Sequence, residues 1–202
     1  MQSENVYIGD DKFKNFLNHY NCPTEINEVK LKFAGAICSP NVNLRPTDVI
    51  SSLFGENKQP RLQTKDEANL FFKFFMGLWD EMFSKIKDNN LLLPKAVNGC
   101  RDELIILCRQ RSRQIECGFV EGFWGGLEKL DIPLFAGELI NSLSDLAEAY
   151  YVLSQKLEKM NKEDDNIFKV IVNMDKKANE IFSFLIEHLV LPKFDELNKQ
   201  VN

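Results

Sequence analysis

In 202 residues the chain offers two histidines, His19 and His188, and five cysteines, Cys22, Cys38, Cys100, Cys108 and Cys117, for proton transfer, nucleophilic attack or metal ligation. Cys38 stands beside Ser39, so two nucleophile types are adjacent. An activated thiol or hydroxyl needs a base within hydrogen-bond reach, and neither histidine is local to this pair. The pair therefore reads as packing at the end of a helix rather than as a hydrolase centre. An odd cysteine count with no Cys-x-x-Cys argues against both a disulfide framework and a zinc knuckle. Reduced, mostly buried thiols are expected. A metal site would require convergence over long sequence distances, so no metal and no cofactor is expected. The acidic pairs Asp80-Glu81, Asp102-Glu103 and Asp164-Asp165 read as solvated helix surface or turn, because neighbours in sequence do not share a helix face. Catalysis is not the expected role.

Arg101, Arg109, Arg111 and Arg113 make the one basic cluster, and Arg109 with Arg113 would share a helix face. Arginine forks suit phosphate and carboxylate, so Arg109, Arg111 and Arg113 are candidates for anion contact. The plainer reading is a solvated face paired with Asp102, Glu103 or Glu116. A formal net charge of -5 disfavours nucleic acid and anionic membrane as partners.

The most distinctive stretch is Cys117-Gly-Phe-Val-Glu-Gly-Phe-Trp-Gly-Gly-Leu127. Gly118 and Gly122 are four apart and would lie on one helix face, letting another backbone approach. Each glycine inside a helix costs about 1 kcal/mol relative to alanine, so tight packing is the expected return. A phosphate-cradling loop is the alternative, but the stretch lacks a Lys-Ser/Thr ending and a preceding strand. Phe119, Phe123 and Trp124 read as core or interface aromatics.

Helices must carry these groups. From Thr64, the residues Ala68, Phe71, Phe72, Phe75, Leu78, Trp79, Met82, Phe83 and Ile86 recur at steps of three and four, which predicts one long helix. Thr64 with Glu67 predicts a capping box. Two further helices are predicted, one on Leu139, Ile140, Leu143, Leu146, Ala147, Tyr150 and Leu153, the next on Ile167, Ile171, Met174, Ala178, Ile181, Phe182, Leu185 and Leu189. A polar turn, Glu158 to Asp165, joins them, and Pro192 ends or kinks the last. Shorter helices are expected at Asp11 to Tyr20, Thr24 to Cys38 and Pro46 to Phe54, with Pro46 at a first helical position. Leu91 to Cys108 could be helix or extended linker by periodicity alone. No run of alternating apolar and polar residues suggests a sheet. Hydrophobic residues make up 44% of the chain and Phe is present sixteen times, enough for one thick core at this length. The expected fold class is all-α, a single compact domain of about six to eight helices spanning 1–202. Neither a secretory leader nor a membrane span is expected, so a cytoplasmic location follows.

Two signatures, in the segments KLKFAGAICSPNVNLRPTDVISSLFGE and CGFVEGFWGGL, occur in an order that resembles the YecA/YgfB family of bacterial proteins. The residues concerned are Gly35 to Pro40, Pro46 to Glu56 and Gly118 to Phe123, within a resemblance covering roughly Thr24 to Leu157. It implies an all-helical fold, a dimeric state and regulation through another protein, and brings no catalytic residues. Many such chains end in a cysteine-rich, metal-binding tail. This one has no cysteine after Cys117, so a metal function does not carry over.

The leading expectation is a helical interaction or regulatory module, a homodimer acting on an unidentified protein partner. A small-molecule binder or enzyme with a site assembled between helices, using Glu121, Trp124 and Arg113, is the alternative. A nucleic-acid regulator using the arginine cluster is a second one.

Overall fold

The computed structural model describes residues 5–55, 58–160 and 166–192. Within these the chain is all-helical, without strands: α1 (Asp10–His19), α2 (Ile26–Cys38), α3 (Pro46–Phe54), α4 (Lys65–Lys87), α5 (Arg101–Arg113), a π-helical segment (Gln114–Val120), α6 (Glu121–Trp124), α7 (Leu134–Lys159), α8 (Ile167–Leu185) and a second π-helical segment (Ile186–Val190). Because α5, the first π segment and α6 are continuous, as are α8 and the second, the described residues form seven helical rods in a single compact domain. The all-α expectation is met. Asp164, Asp165, Glu56 and most of the Glu158 to Asp165 turn lie outside the described residues.

Local chemistry accounts for the helix starts. Pro46 occupies the first turn of α3, and Asp48 Oδ2 accepts the Arg45 amide at 3.0 Å. Thr64 Oγ1 accepts the Glu67 amide at 3.1 Å. The reciprocal arm differs from the predicted box: Glu67 Oε2 accepts from Gln63 N at 2.7 Å, one residue before the cap, while Oε1 accepts the Tyr20 hydroxyl at 3.2 Å. Residues 90–100 are extended, and helix begins only at Arg101.

The core is in two parts that share α2. On one side Val29, Phe33 and Ala36 pack with Phe13, Leu53, Phe71, Phe75 and Leu78 from α1, α3 and α4. On the other, Leu31, Ala34 and Cys38 pack with Phe119, Phe123, Ile140, Tyr150 and Phe182 from the later helices. The Phe71, Phe72, Phe75 run of α4 is divided: Phe71 and Phe75 are buried and stack edge-on at 4.9 Å, while Phe72 and Phe83 are exposed. Aromatic edge-to-face pairs of this kind contribute about 0.5–1.5 kcal/mol each beyond their buried area. That suits a first lobe built chiefly from phenylalanine.

Of the cysteines, Cys38 and Cys108 are buried, Cys22 and Cys117 half-buried, and Cys100 is exposed just before α5. The expectation that most thiols are buried therefore holds fully for two positions only. Cys100 is exposed because it ends the extended segment rather than lying on a helix face.

Candidate functional site

Gly118 and Gly122 do lie on one helix face, and that face is filled by the chain's own α2. A Cβ built on Gly118 would meet the Glu28 carbonyl oxygen at 3.1 Å, and one on Gly122 would meet the Lys32 carbonyl oxygen at 2.2 Å. Gly35 of α2 answers them: its Cβ would stand 2.1 Å from the Phe119 carbonyl oxygen. The two helices cross backbone to backbone through three glycines. Phe119 and Phe123 project away from this crossing into the second lobe, fully buried, and Phe119 packs on Phe182 at 4.6 Å between ring centroids. Gly125, with φ 57°, is the left-handed residue that ends α6, and its amide bonds the Glu121 carbonyl. The GFVEGFWGG stretch is thus helix and helix stop, not a phosphate-cradling loop.

The three arginines go to three different places. Arg109 is exposed and pairs with Glu158 of α7. Arg113 donates through Nε to Glu28 Oε2 at 3.0 Å, from an exposed position onto a buried carboxylate. Arg111 is fully buried. Its Nε donates to Asp175 Oδ1 at 2.9 Å and its Nη2 to Asp175 Oδ2 at 3.1 Å, while Nη1 donates to Gln114 Oε1 at 2.8 Å and Nη2 also reaches the Pro94 carbonyl. Tyr150 donates its hydroxyl to Asp175 Oδ1 at 2.6 Å. Burial, then the hydrogen bond and charge of Asp175, drive the Tyr150 hydroxyl far above its ordinary pKa. The Asp175 carboxylate ties α5, α7 and α8 together, and the Arg111 guanidinium adds the extended 90–100 segment through the Pro94 carbonyl. All three guanidinium groups already hold carboxylates, so an incoming phosphate would have to displace Glu158, Asp175 or Glu28. Of the acids expected beside the cluster, Asp102 does pair, with Arg101 at 3.9 Å, whereas Arg109, Arg111 and Arg113 take theirs from neighbouring helices rather than from Glu103 or Glu116.

Cys38, beside Ser39, is buried at the end of α2. Burial alone pushes the Cys38 thiol far up. His19 stacks on Tyr20 and His188 on Phe184. No group of three or more His, Cys, Asp or Glu able to hold a metal occurs among the described residues.

Beside the crossing of α2 and α6 lies a cleft of about 590 Å³ between α2, α3, the first π-helical segment, α6, the start of the following loop and α7. Leu44, Val49, Val120, Trp124 and Leu127 supply apolar wall, and Gly122, Gly125 and Gly126 supply bare backbone. Its polar groups are Lys32, Asp48, Ser52, Glu116, Glu121 and Ser144. Lys32 is nearly buried, 11% exposed, and donates through Nζ to Glu121 Oε2 at 3.0 Å; the glutamate is 53% exposed. Trp124 and Glu121 line this cleft together, whereas Arg113 turns to Glu28 and does not line it. Lys32, Asp48 and Glu116 did not register as site residues in the sequence. Only Lys32 carried a signal, as a lone cation inside the apolar run Leu31 to Cys38.

Two other hollows border the extended 90–100 segment. One of about 670 Å³ runs along α8, with Phe168, Val172, Asp175, Lys176 and Glu180 facing Leu93 to Ala96. A smaller one of about 300 Å³ lies beside Lys95, Glu103 and Arg111.

No family model, no curated protein and no solved structure matches the chain. The likeness to the YecA/YgfB family is therefore not upheld, and the features expected from it lose that support. The physical reason lies in the crossing itself. Small residues at helical spacing, in Gly35 to Pro40 and again in Gly118 to Phe123, are what any two helices need in order to touch backbones, so they recur without kinship. Among the described residues, no helix is long and apolar enough to cross a membrane.

Proposed function

We propose that the chain is a cytosolic binding module that engages a protein partner at the cleft walled by Trp124. The observation that carries this reading is the cleft's composition. Apolar wall surrounds a few placed polar groups, and the volume falls in the range of roughly 300–1,000 Å³ usual for ligand sites. A protein partner suits it better than a free small molecule, because Leu127 on its wall is 45% exposed and a compact ligand would leave that apolar surface uncovered. Tryptophan is also among the residue types enriched at the energetic hot spots of protein recognition. The net charge of -5 and five free cysteines fit a reducing, aqueous compartment. The homodimer expected from the sequence is kept as a separate proposal, tested by sedimentation.

The test is affinity capture from the native extract with the wild-type chain and a Trp124→Ala variant in parallel, both nuclease-treated. A stoichiometric protein held by the wild type and lost by the variant supports the reading. Equal retention by both moves the interface elsewhere and overturns it.

A further inference from the structure

We infer that the cleft receives a basic side chain, arginine or lysine, presented on an apolar-flanked segment of the partner protein. This rests on the reading of the cleft as a protein-binding site. Charge is what decides it. The cleft's ionisable lining is one cation, Lys32, against three carboxylates, Asp48, Glu116 and Glu121. Lys32 is already committed to Glu121 at 3.0 Å. The remaining two acids belong to no salt bridge among the described residues, and only Asp48 has a hydrogen-bond duty, as acceptor for the Arg45 amide through Oδ2. The hollow along α8 differs: Lys95 and Lys176 balance Asp175 and Glu180 there. The smallest hollow carries Lys95 and Arg111 against Glu103. Of the three, the Trp124 cleft is the one with surplus negative charge.

The walls add a second argument. The half-buried Trp124 indole lines the same cleft, and a guanidinium or ammonium seated over an aromatic ring would gain a cation–π contact in addition to its carboxylate contacts. An arginine could serve both, since its planar fork donates to carboxylates and its face stacks on aromatic rings. Leu44, Val49 and Leu127 would take the apolar residues on either side of it. An anionic occupant would face the opposite situation. It would have to displace Glu121 from Lys32 while approaching Asp48 and Glu116.

The experiment uses the full chain carrying Trp79→Phe, which leaves Trp124 as the sole indole. Its fluorescence is followed while the synthetic peptide N-acetyl-Gly-Leu-Arg-Leu-Gly-amide is added. The same peptide with neutral citrulline, or with glutamate, replacing the arginine serves as comparison. The expected result is a saturable change with the arginine peptide that weakens at high salt. It should weaken about tenfold, roughly 1.4 kcal/mol, in Glu116→Gln, and be absent with the glutamate peptide. Equal responses to arginine and citrulline peptides, or no saturation with arginine up to about 10 mM, overturn the inference. Asp48→Asn, which keeps the amide-accepting oxygen of the α3 cap, repeats the test at a second acid, so it does not hang on the folding of one variant. The two failures are separable: loss of the captured partner in Trp124→Ala without arginine selectivity leaves the cleft as the interface but with a different occupant. Arginine binding with unchanged capture overturns the interface instead.

Discussion

Gly35 and Phe119 meet through their main chains, with no side chain between them: a methyl group on residue 35 would sit 2.1 Å from the Phe119 carbonyl oxygen. The obstacle is backbone on a buried helix, which cannot swing aside as a flexible side chain would. Gly35→Ala should therefore destabilise the fold by about 3 kcal/mol or more, despite alanine's better helix propensity. Gly137 is the internal control, a helical glycine on α7 whose Cβ would find only Ile132 Cδ1 at 3.8 Å. Gly137→Ala should stabilise by about 0.5–1 kcal/mol. Urea midpoints of the two variants check both signs.

The Arg111–Asp175 pair makes a different prediction. Arg111→Met leaves a nearly buried carboxylate facing Tyr150 with no cation, at a cost of about 3–5 kcal/mol. Adding Asp175→Leu removes the stranded charge, so the double variant should recover much of that loss. A double-mutant cycle from equilibrium unfolding measures the coupling. Additive losses would show that the pair is not a unit.

Thiol reactivity should follow burial. Cys100 is exposed and should be alkylated first in the native protein. Burial and, second, the charge of Asp175 push Cys108 up to about 11, with Arg111 opposing. At pH about 8 that leaves roughly one thiolate in a thousand at Cys108. The sign carries over to stability: a thiol raised on folding favours the native state below its unfolded value of about 8.5, and that contribution is lost as pH rises through about 11. Mass-mapped alkylation against pH, native and in denaturant, reads both effects. Early labelling of Cys38 or Cys108 in native protein would count against the packing described.

Lys32 and Glu121 should respond unequally to substitution. Glu121→Ala strands a nearly buried ammonium, whereas Lys32→Met removes the charge and frees a half-exposed carboxylate to water. The first should cost about 1 kcal/mol and the second less, given the pair's partial exposure. Thermal melts of the two single variants test the order.

Helical periodicity made most of the scaffold legible. α3 has the predicted limits Pro46 to Phe54, and Phe71, Phe75, Leu78, Met82 and Ile86 of the predicted stripe are buried on α4. The polar cluster was also partly readable. Asp175 falls four residues after Ile171 and three before Ala178, inside the buried stripe of α8, which is where a carboxylate must find a partner. Its partner could not be read, because Arg111 lies 64 residues away and the two meet only once α5 and α8 have both packed against α7. The cleft was hidden for the same reason. Lys32 and Glu121 are 89 residues apart, and no local spacing records that they meet.

The sharing of α2 by both halves of the core carries a cost in time during synthesis. Its first-lobe partners include α1, made just before it, but the residues that cover its other side are 85 to 89 positions downstream, as the Glu28–Arg113 and Lys32–Glu121 contacts show. At about 5–20 residues per second the ribosome needs roughly 4–18 s to supply them. Throughout that interval Leu31, Ala34 and Cys38 have no covering helix, so a nascent chain arrested near residue 100 should be protease-sensitive in α2 and should recruit chaperones, whereas one released after α8 should do neither.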